Sequence, residues 1–187
     1  QVIVAARNCT PSLPDSEAIK CLDSAWKYPP RYKKSDVGNA NRLINKHGAN
    51  IRYIHEHKRW IYWGDGRWEI DNDGEIFRRA KDTILAIHTE VAETNPDNRE
   101  ALSKFALRSE NKRSLDNMIA VASKDKEVVM SQSDLDKDHY LLGVVNGTVD
   151  LRTGGLKCSD RYDFITKRAH VTHIANSKCP RWLKFIN

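Results

Sequence analysis

Residues 35–70 read SDVGNANRLINKHGANIRYIHEHKRWIYWGDGRWEI, and this stretch constrains the fold of everything around it. Ser35 can accept from the first-turn amides of a helix, and Gly48 can take the left-handed conformation that ends one. Ile51 to His55 and Arg59 to Trp63 then alternate and branch in the manner of strands. Gly64-Asp65-Gly66 supplies the positive-φ residues of a tight turn, and Arg67 to Ile70 returns as the partner strand. Three of the five tryptophans, Trp60, Trp63 and Trp68, fall within nine residues here, among Arg52, Lys58, Arg59 and Arg67. They admit two readings. One is the large apolar mass of a small sheet; the other is an aromatic platform that stacks on unpaired bases while arginines compensate phosphate. Packing is the better account of Trp63 and Trp68. For Trp60, which alternation places opposite Ile61 and Trp63, both stay open.

The segments that follow are helical. Asp71-Asn72-Asp73-Gly74-Glu75 makes a turn and an N-cap, and Ile76, Phe77, Ala80, Ile84, Ile87 and Val91 form one apolar stripe on a long helix to about Thr94. Asn95 to Asn98 breaks it, and Ala101, Leu102, Phe105 and Ala106 mark a second helix. Ser109-Glu110-Asn111 interrupts again before a third carrying Leu115, Met118, Ile119 and Ala122. Three such helices predict an antiparallel bundle. Arg108, Lys112 and Arg113 surround the second break, a basic tip that either reaches a phosphate backbone or meets solvent. Upstream, Pro14, Asp15, Ser16 and Glu17 open a short amphipathic helix with Ala18, Leu22, Ala25 and Trp26, which Pro29-Pro30 ends.

The last third changes period. Val128 to Met130 reads as a short strand and Ser131 to Asp138 as an acidic loop. Leu141 to Val145 and Thr148 to Leu151 pair across Asn146-Gly147, the preferred type I′ dipeptide, and Thr153-Gly154-Gly155 turns the chain again. Phe164-Ile165-Thr166 and Val171-Thr172 read as extended, and Cys179-Pro180-Arg181-Trp182 opens a further helix. The expected class is α+β, a helical bundle with a small antiparallel β-sheet and hairpins.

No catalytic signature emerges. A phosphate-cradling loop is absent, since Gly154-Gly155-Leu156-Lys157 lacks its spacing and its Ser/Thr. His55-Glu56-His57 places two histidines on one side of a strand without a third ligand. His170 and His173 lack a completing Cys pair or carboxylate, and Asp134, Asp136 and Asp138 lack the Gly and closing Glu of a calcium loop. Cys9, Cys21, Cys158 and Cys179 are scattered, which argues against a disulfide framework or zinc site. The chain begins at Gln1, carries no signal peptide or membrane-length apolar run, and reads as a piece of a longer intracellular polypeptide.

Charge is the informative quantity. The net charge of +6 is unevenly spread: residues 31–70 carry nine Lys/Arg against four Asp/Glu, and residues 151–187 eight against two, while residues 71–100 carry four against eight. If folding brings the two basic blocks together, they form a positive face suited to phosphate. The candidate DNA-binding residues are Lys33, Lys34, Arg42, Arg52, Lys58, Arg59 and Trp60 in the first block, and Arg152, Lys157, Lys167 and Arg168 in the second. No catalytic or metal-binding residue is expected.

The run from Leu141 to Gly155, LLGVVNGTVDLRTGG, resembles the "LLNVRNGTLDLRTGEL" signature of phage and plasmid primase–helicases. Asp163-Phe164-Ile165-Thr166-Lys167 is similar to the acidic-aromatic stretch and "ITK" that follow it, and Cys179 to Ile186 to the subsequent "CPRWxxFL". Residues 35–68 resemble the family's "TDxGNAxRLVxxHGxxxRYV…WxxWDGxxW", and residues 11–28 its "PLPxxEVxxIxxSAW" segment. The resemblance covers nearly the whole chain in the expected order, with Gly143 where Asn is common and Gly155 where Glu is common.

What it implies is a region between an N-terminal primase or primase–polymerase and a C-terminal superfamily 3 helicase ATPase, also found in the poxvirus-type replicative nucleoside triphosphatase. Residues 1–32 would end the primase part, 33–178 form the middle domain and 179–187 begin a truncated helicase. The parent would prime and unwind DNA as a hexameric ring with ATP and magnesium, in a bacterial host's cytoplasm or at a viral replication site. This fragment would hold no cofactor, touch no membrane and catalyse nothing itself. Its partners would be single-stranded or forked DNA, the parent's primase and helicase domains, and other copies in the ring. A structural collar that docks subunits without contacting DNA is the alternative.

Overall fold

In the computed structural model, which describes residues 32–186, the first element is α1 (Asp36–His47). Ser35 caps it from an extended backbone, its Oγ accepting from the Gly38 amide at 3.2 Å. Gly48 does not end the helix by turning left-handed. It sits at φ −56°, ψ −28°, and the chain tightens into a 3₁₀ turn over Gly48–Asn50 before extending. The strands β1 (Ile51–Ile54), β2 (Arg59–Gly64) and β3 (Arg67–Ile70) form an antiparallel meander. Asp65 (φ 49°) and Gly66 (φ 77°) make the two-residue turn the sequence calls for. His55-Glu56-His57, expected on a strand, instead lies exposed in the β1–β2 turn, where Lys58 takes φ 52°.

The sheet gains a fourth strand, β4 (Val129–Met130), which pairs parallel to β1, giving the order β3-β2-β1-β4. It is therefore mixed, not purely antiparallel. Alternation along the strands separates two apolar clusters. On one face Ile51, Trp60 and Tyr62 pack against the helices; Ile54, Ile61 and Trp68 pack with Trp63, Met130, Leu135 and Phe164 in a second cluster. The helices are α1, α2 (Glu75–Glu93), α3 (Pro96–Ser109) and α4 (Lys112–Ala122), and Leu43, Ile84, Ile87, Leu102, Leu115 and Met118 meet at their centre.

Caps place the helix starts. The Asp71 carboxylate accepts from the amides of Gly74 and Glu75 (both 2.8 Å) and Ile76 (2.9 Å). Burial raises its carboxyl pKa, but the amides outweigh that and hold it below the usual range. Asn95 caps α3 with Pro96 in its first turn, and Asn111 caps α4 through Ser114 N at 3.0 Å. Each such cap contributes about 1 kcal/mol.

A second sheet, β5 (Leu141–Val144), β6 (Gly147–Asp150) and β7 (Gly155–Lys157), is an antiparallel meander. Its first turn differs from the type I′ expectation. The turn residues are Val145 and Asn146, neither with positive φ, and Gly147 begins β6 at φ 149°. A Cβ on Gly147 would run into the Lys157 carbonyl oxygen, so the glycine answers to the approach of β7 and not to the turn. The Asn146 amide group accepts from His173 N (2.9 Å) and donates to His173 O (3.1 Å), standing in for a strand partner.

The segments around residues 164–172 are held by single bonds instead of a ladder. Phe164 is left-handed at φ 50°; the Ala169 amide donates to Gly143 O and that of Val145 to Val171 O. The chain ends in α5 (Pro180–Ile186), the helix expected from Cys179 onward. The expected helix across residues 11–28 lies outside the described residues. No helix among the described residues is long and apolar enough to cross a membrane.

Candidate nucleic-acid interface

The two basic segments do meet. The Trp68 amide donates to Ile165 O (2.8 Å) and its indole Nε1 to Arg161 O (2.8 Å). Arg161 Nη1 reaches Asn50 Oδ1 (2.5 Å), and Arg168 donates to both the carbonyl (2.7 Å) and the carboxylate (2.6 Å) of Asp65. The β3 edge thus lies against residues 161–168. Charge at the junction is largely cancelled. Arg168 hydrogen-bonds Asp65 and holds its carboxyl below the ordinary carboxylate range. Arg152 does the same to Asp138 (2.7 and 3.0 Å), with its guanidinium 4.5 Å from the Tyr140 ring centroid. Lys157 pairs with Asp163 at 2.8 Å. Of the four second-block candidates, Lys167 alone is exposed without an ion pair among the described residues.

The first block divides in the same way. Arg42 is 4% exposed inside the bundle, its Nε and Nη2 donating to the Glu90 carboxylate (2.8 to 3.1 Å) and Nη1 to Asn39 Oδ1 at 3.4 Å. A guanidinium so enclosed has no donor to offer a phosphate, which removes Arg42 from the interface. Arg52 donates to the carbonyls of Gly48 and Ile51 and lies 5.3 Å from the Trp68 ring centroid and 6.0 Å from that of Phe164. Burial lowers its pKa, and its role is to bind the sheet to the 3₁₀ turn.

Trp60 is half-buried against the helices, edge-on to Tyr53 at 5.2 Å, so it packs and does not form an open platform. Trp63 meets Trp68 edge-on at 5.8 Å, and Trp68 stacks on Phe164 at 5.9 Å, in line with the packing reading. Lys34, Lys58 and Arg59 remain exposed without ion pairs among the described residues. Lys33 is exposed and belongs to a separate unit, Gln1–Lys33. Lys58 and Arg59 stand at the far end of β2 from the Asp65 turn, roughly 16 Å along the strand.

One grouping was not legible from the blocks. Lys34 and Arg108 line the same groove of about 470 Å³, with Ala101, Phe105 and the Glu100–Lys104 pair along its wall. A second cleft of about 510 Å³ lies beside Tyr140, Tyr162 and the Arg152–Asp138 pair. Among the described residues no group of three or more His, Cys, Asp or Glu side chains is arranged to hold a metal ion.

Among the described residues this geometry is an α+β domain with a helical bundle, two small sheets and a set of surface cations that form no ion pair. Residues 40–187 match the model of the family described as D5 N terminal like. The chain therefore belongs to that family, the N-terminal region of phage and viral D5-type primase–helicases, which precedes the helicase domain. No curated protein matches the chain.

Proposed function

We propose that this chain is a noncatalytic, nucleic-acid-binding domain of a D5-type replicative primase–helicase, coupling the parts of its parent to DNA. The observation that carries the reading is leftover charge: after internal pairing, the candidates Lys34, Lys58, Arg59 and Lys167 are exposed with no acidic partner among the described residues. Family membership supports the setting, a protein of DNA replication with a helicase domain downstream. Binding is electrostatic and not by stacking, because Trp60, Trp63 and Trp68 are occupied in packing. The parent's priming, its ATP- and magnesium-dependent unwinding and its hexameric ring belong to the same proposal, as does a workplace in a bacterial cytoplasm or viral replication site.

Fluorescence anisotropy of the 187-residue chain with labelled single-stranded and duplex oligonucleotides, across a salt series, tests it. The expected result is binding whose logarithm falls linearly with the logarithm of salt concentration. Undetectable binding at low salt retires the reading. A structural collar is the second reading, favoured by a different observation: Val171, Ile174, Leu183 and Phe185 are exposed at the C-terminal end of the chain. It predicts concentration-dependent assembly in sedimentation velocity with no change on adding DNA.

A further inference from the structure

We propose that nucleic-acid backbone is gripped at the corner where α3 hands over to α4, by Arg108, Lys112 and Arg113 together with Lys34. This rests on the nucleic-acid reading above and assigns it to a surface outside both basic blocks' centres. Two bonds build the corner. Asn39 Nδ2 donates to Ser109 Oγ (3.2 Å), and Asn117 Nδ2 donates to Asp36 Oδ2 (2.8 Å), tying the start of α1 to the α3–α4 connection. Lys34 immediately precedes the α1 cap. Arg113 lies one turn before Asn117 on the same α4 face, between the Asn117–Asp36 and Ser109–Asn39 contacts, and Lys34 lines one groove with Arg108. Cations separated by more than seventy positions in the chain thus share one end of the bundle.

The charge there is uncompensated. Lys34, Arg108, Lys112 and Arg113 are all exposed, and none makes an ion pair or side-chain hydrogen bond among the described residues. Three neighbouring carboxylates have other partners, while that of Asp97, on the wall of the groove lined by Lys34 and Arg108, makes no ion pair among the described residues. Asp36 accepts from Asn117, Glu110 meets His88 at 2.7 Å, and Glu100 takes Lys104 at 2.5 Å. Asp116, four residues after Lys112, forms no ion pair with it. Moreover, α4 has no acid in its first turn and carries Lys112 and Arg113 there, against the sign its backbone dipole favours. An anion relieves the mutual repulsion and the dipole together. Four cations from three segments exceed what one phosphate needs and fit a chain of them, as in a polynucleotide.

The test uses the whole chain and labelled duplex and single-stranded oligonucleotides in anisotropy titrations at several salt concentrations. The triple variant Arg108→Ala/Lys112→Ala/Arg113→Ala is compared with Lys58→Ala/Arg59→Ala/Lys167→Ala, which removes equal charge elsewhere. The corner variant is expected to weaken binding about tenfold or more and to lower the salt slope by about 2 to 3, and the control by much less. Equal losses in both would reduce the effect to net charge and overturn the proposal. Loss confined to the control overturns it too, while leaving the nucleic-acid reading standing; no binding by the unsubstituted chain overturns both. The corner variant's thermal midpoint should hold or rise, since cations leave the start of α4. A clear fall marks these side chains as structural and contradicts the assignment, and so does polyglutamate that competes as well as unlabelled DNA at equal charge.

Discussion

Residues 151–187 and the α3–α4 corner make an instructive pair. The first segment has a surplus of six cations in the sequence, and the segment that contains the corner, residues 101–150, has a deficit of one. Pairing in the fold narrows the difference, although Lys167, Lys178, Arg181 and Lys184 stay exposed in the first segment. Arg152, Lys157 and Arg168 are held by Asp138, Asp163 and Asp65, while Arg108, Lys112 and Arg113 form no ion pair among the described residues. A count along the chain measures how many charges were made; a surface field measures how many are left after pairing. Asp163 lies in the same segment, six positions after Lys157, but Asp138 and Asp65 come from 14 positions before Arg152 and 103 before Arg168, outside the window that counts those cations.

The largest test of this contrast is on the paired side. Arg42→Ala leaves Glu90 without its bidentate partner and opens the bundle, and should lower unfolding free energy by about 3 kcal/mol in urea titrations. A loss near zero would mean the buried guanidinium is not structurally engaged. Gly147→Ala should follow at about 2 kcal/mol, read as a drop in thermal midpoint, because a Cβ at φ 149° meets the β7 backbone. It asks whether the second sheet that presents Arg152 and Lys157 depends on that close approach.

On the unpaired side the sign reverses. Lys112→Glu/Arg113→Glu should stabilise the domain by roughly 0.5 to 1 kcal/mol, since acids suit the start of α4. A destabilised variant would blur the distinction between the two regions.

The smallest effects are in pH dependence. The pKa of His47 is lowered chiefly by burial and then by Arg79, against the opposing pull of Asp82, so the imidazole accepts a proton more readily once unfolded. Its contribution is complete above its unfolded pKa of about 6.5 and is lost as pH falls from there through the depressed folded value. Thermal midpoints should therefore decline on acidification below about pH 6.5, and His47→Gln should flatten that decline. For Asp65, carbonyl NMR titration should place the midpoint below the ordinary carboxylate range, and Arg168→Ala should return it there.

Local chemistry was readable where the local group decides the outcome. Ser35 caps α1, Asp65-Gly66 turns β2 into β3, the apolar stripe from Ile76 to Val91 becomes the buried face of α2, and the family resemblance along residues 35–186 agrees with the matched region. The fold departs from the local expectation where another segment, adjacent or distant, makes the choice. Gly48 stays right-handed because the chain runs on into a 3₁₀ turn. Gly147 is shaped by β7, a three-residue strand too short to show a period. His55 and His57 fall in the turn because the β1–β2 register pairs Ile54 with Arg59 and leaves four residues between them. Arg42 reads as a surface cation on an amphipathic helix, and Glu90, which buries it, is 48 positions away.

The account turns on where unpaired charge meets a polynucleotide, and a hydrogen-exchange footprint of the whole chain with and without a duplex oligonucleotide reads that location directly. Slowed exchange at the start of α1 and across residues 108–117 is the predicted result. Protection limited to the Lys58–Arg59 turn or the Lys167 segment, or no protection anywhere at saturating oligonucleotide, would contradict it.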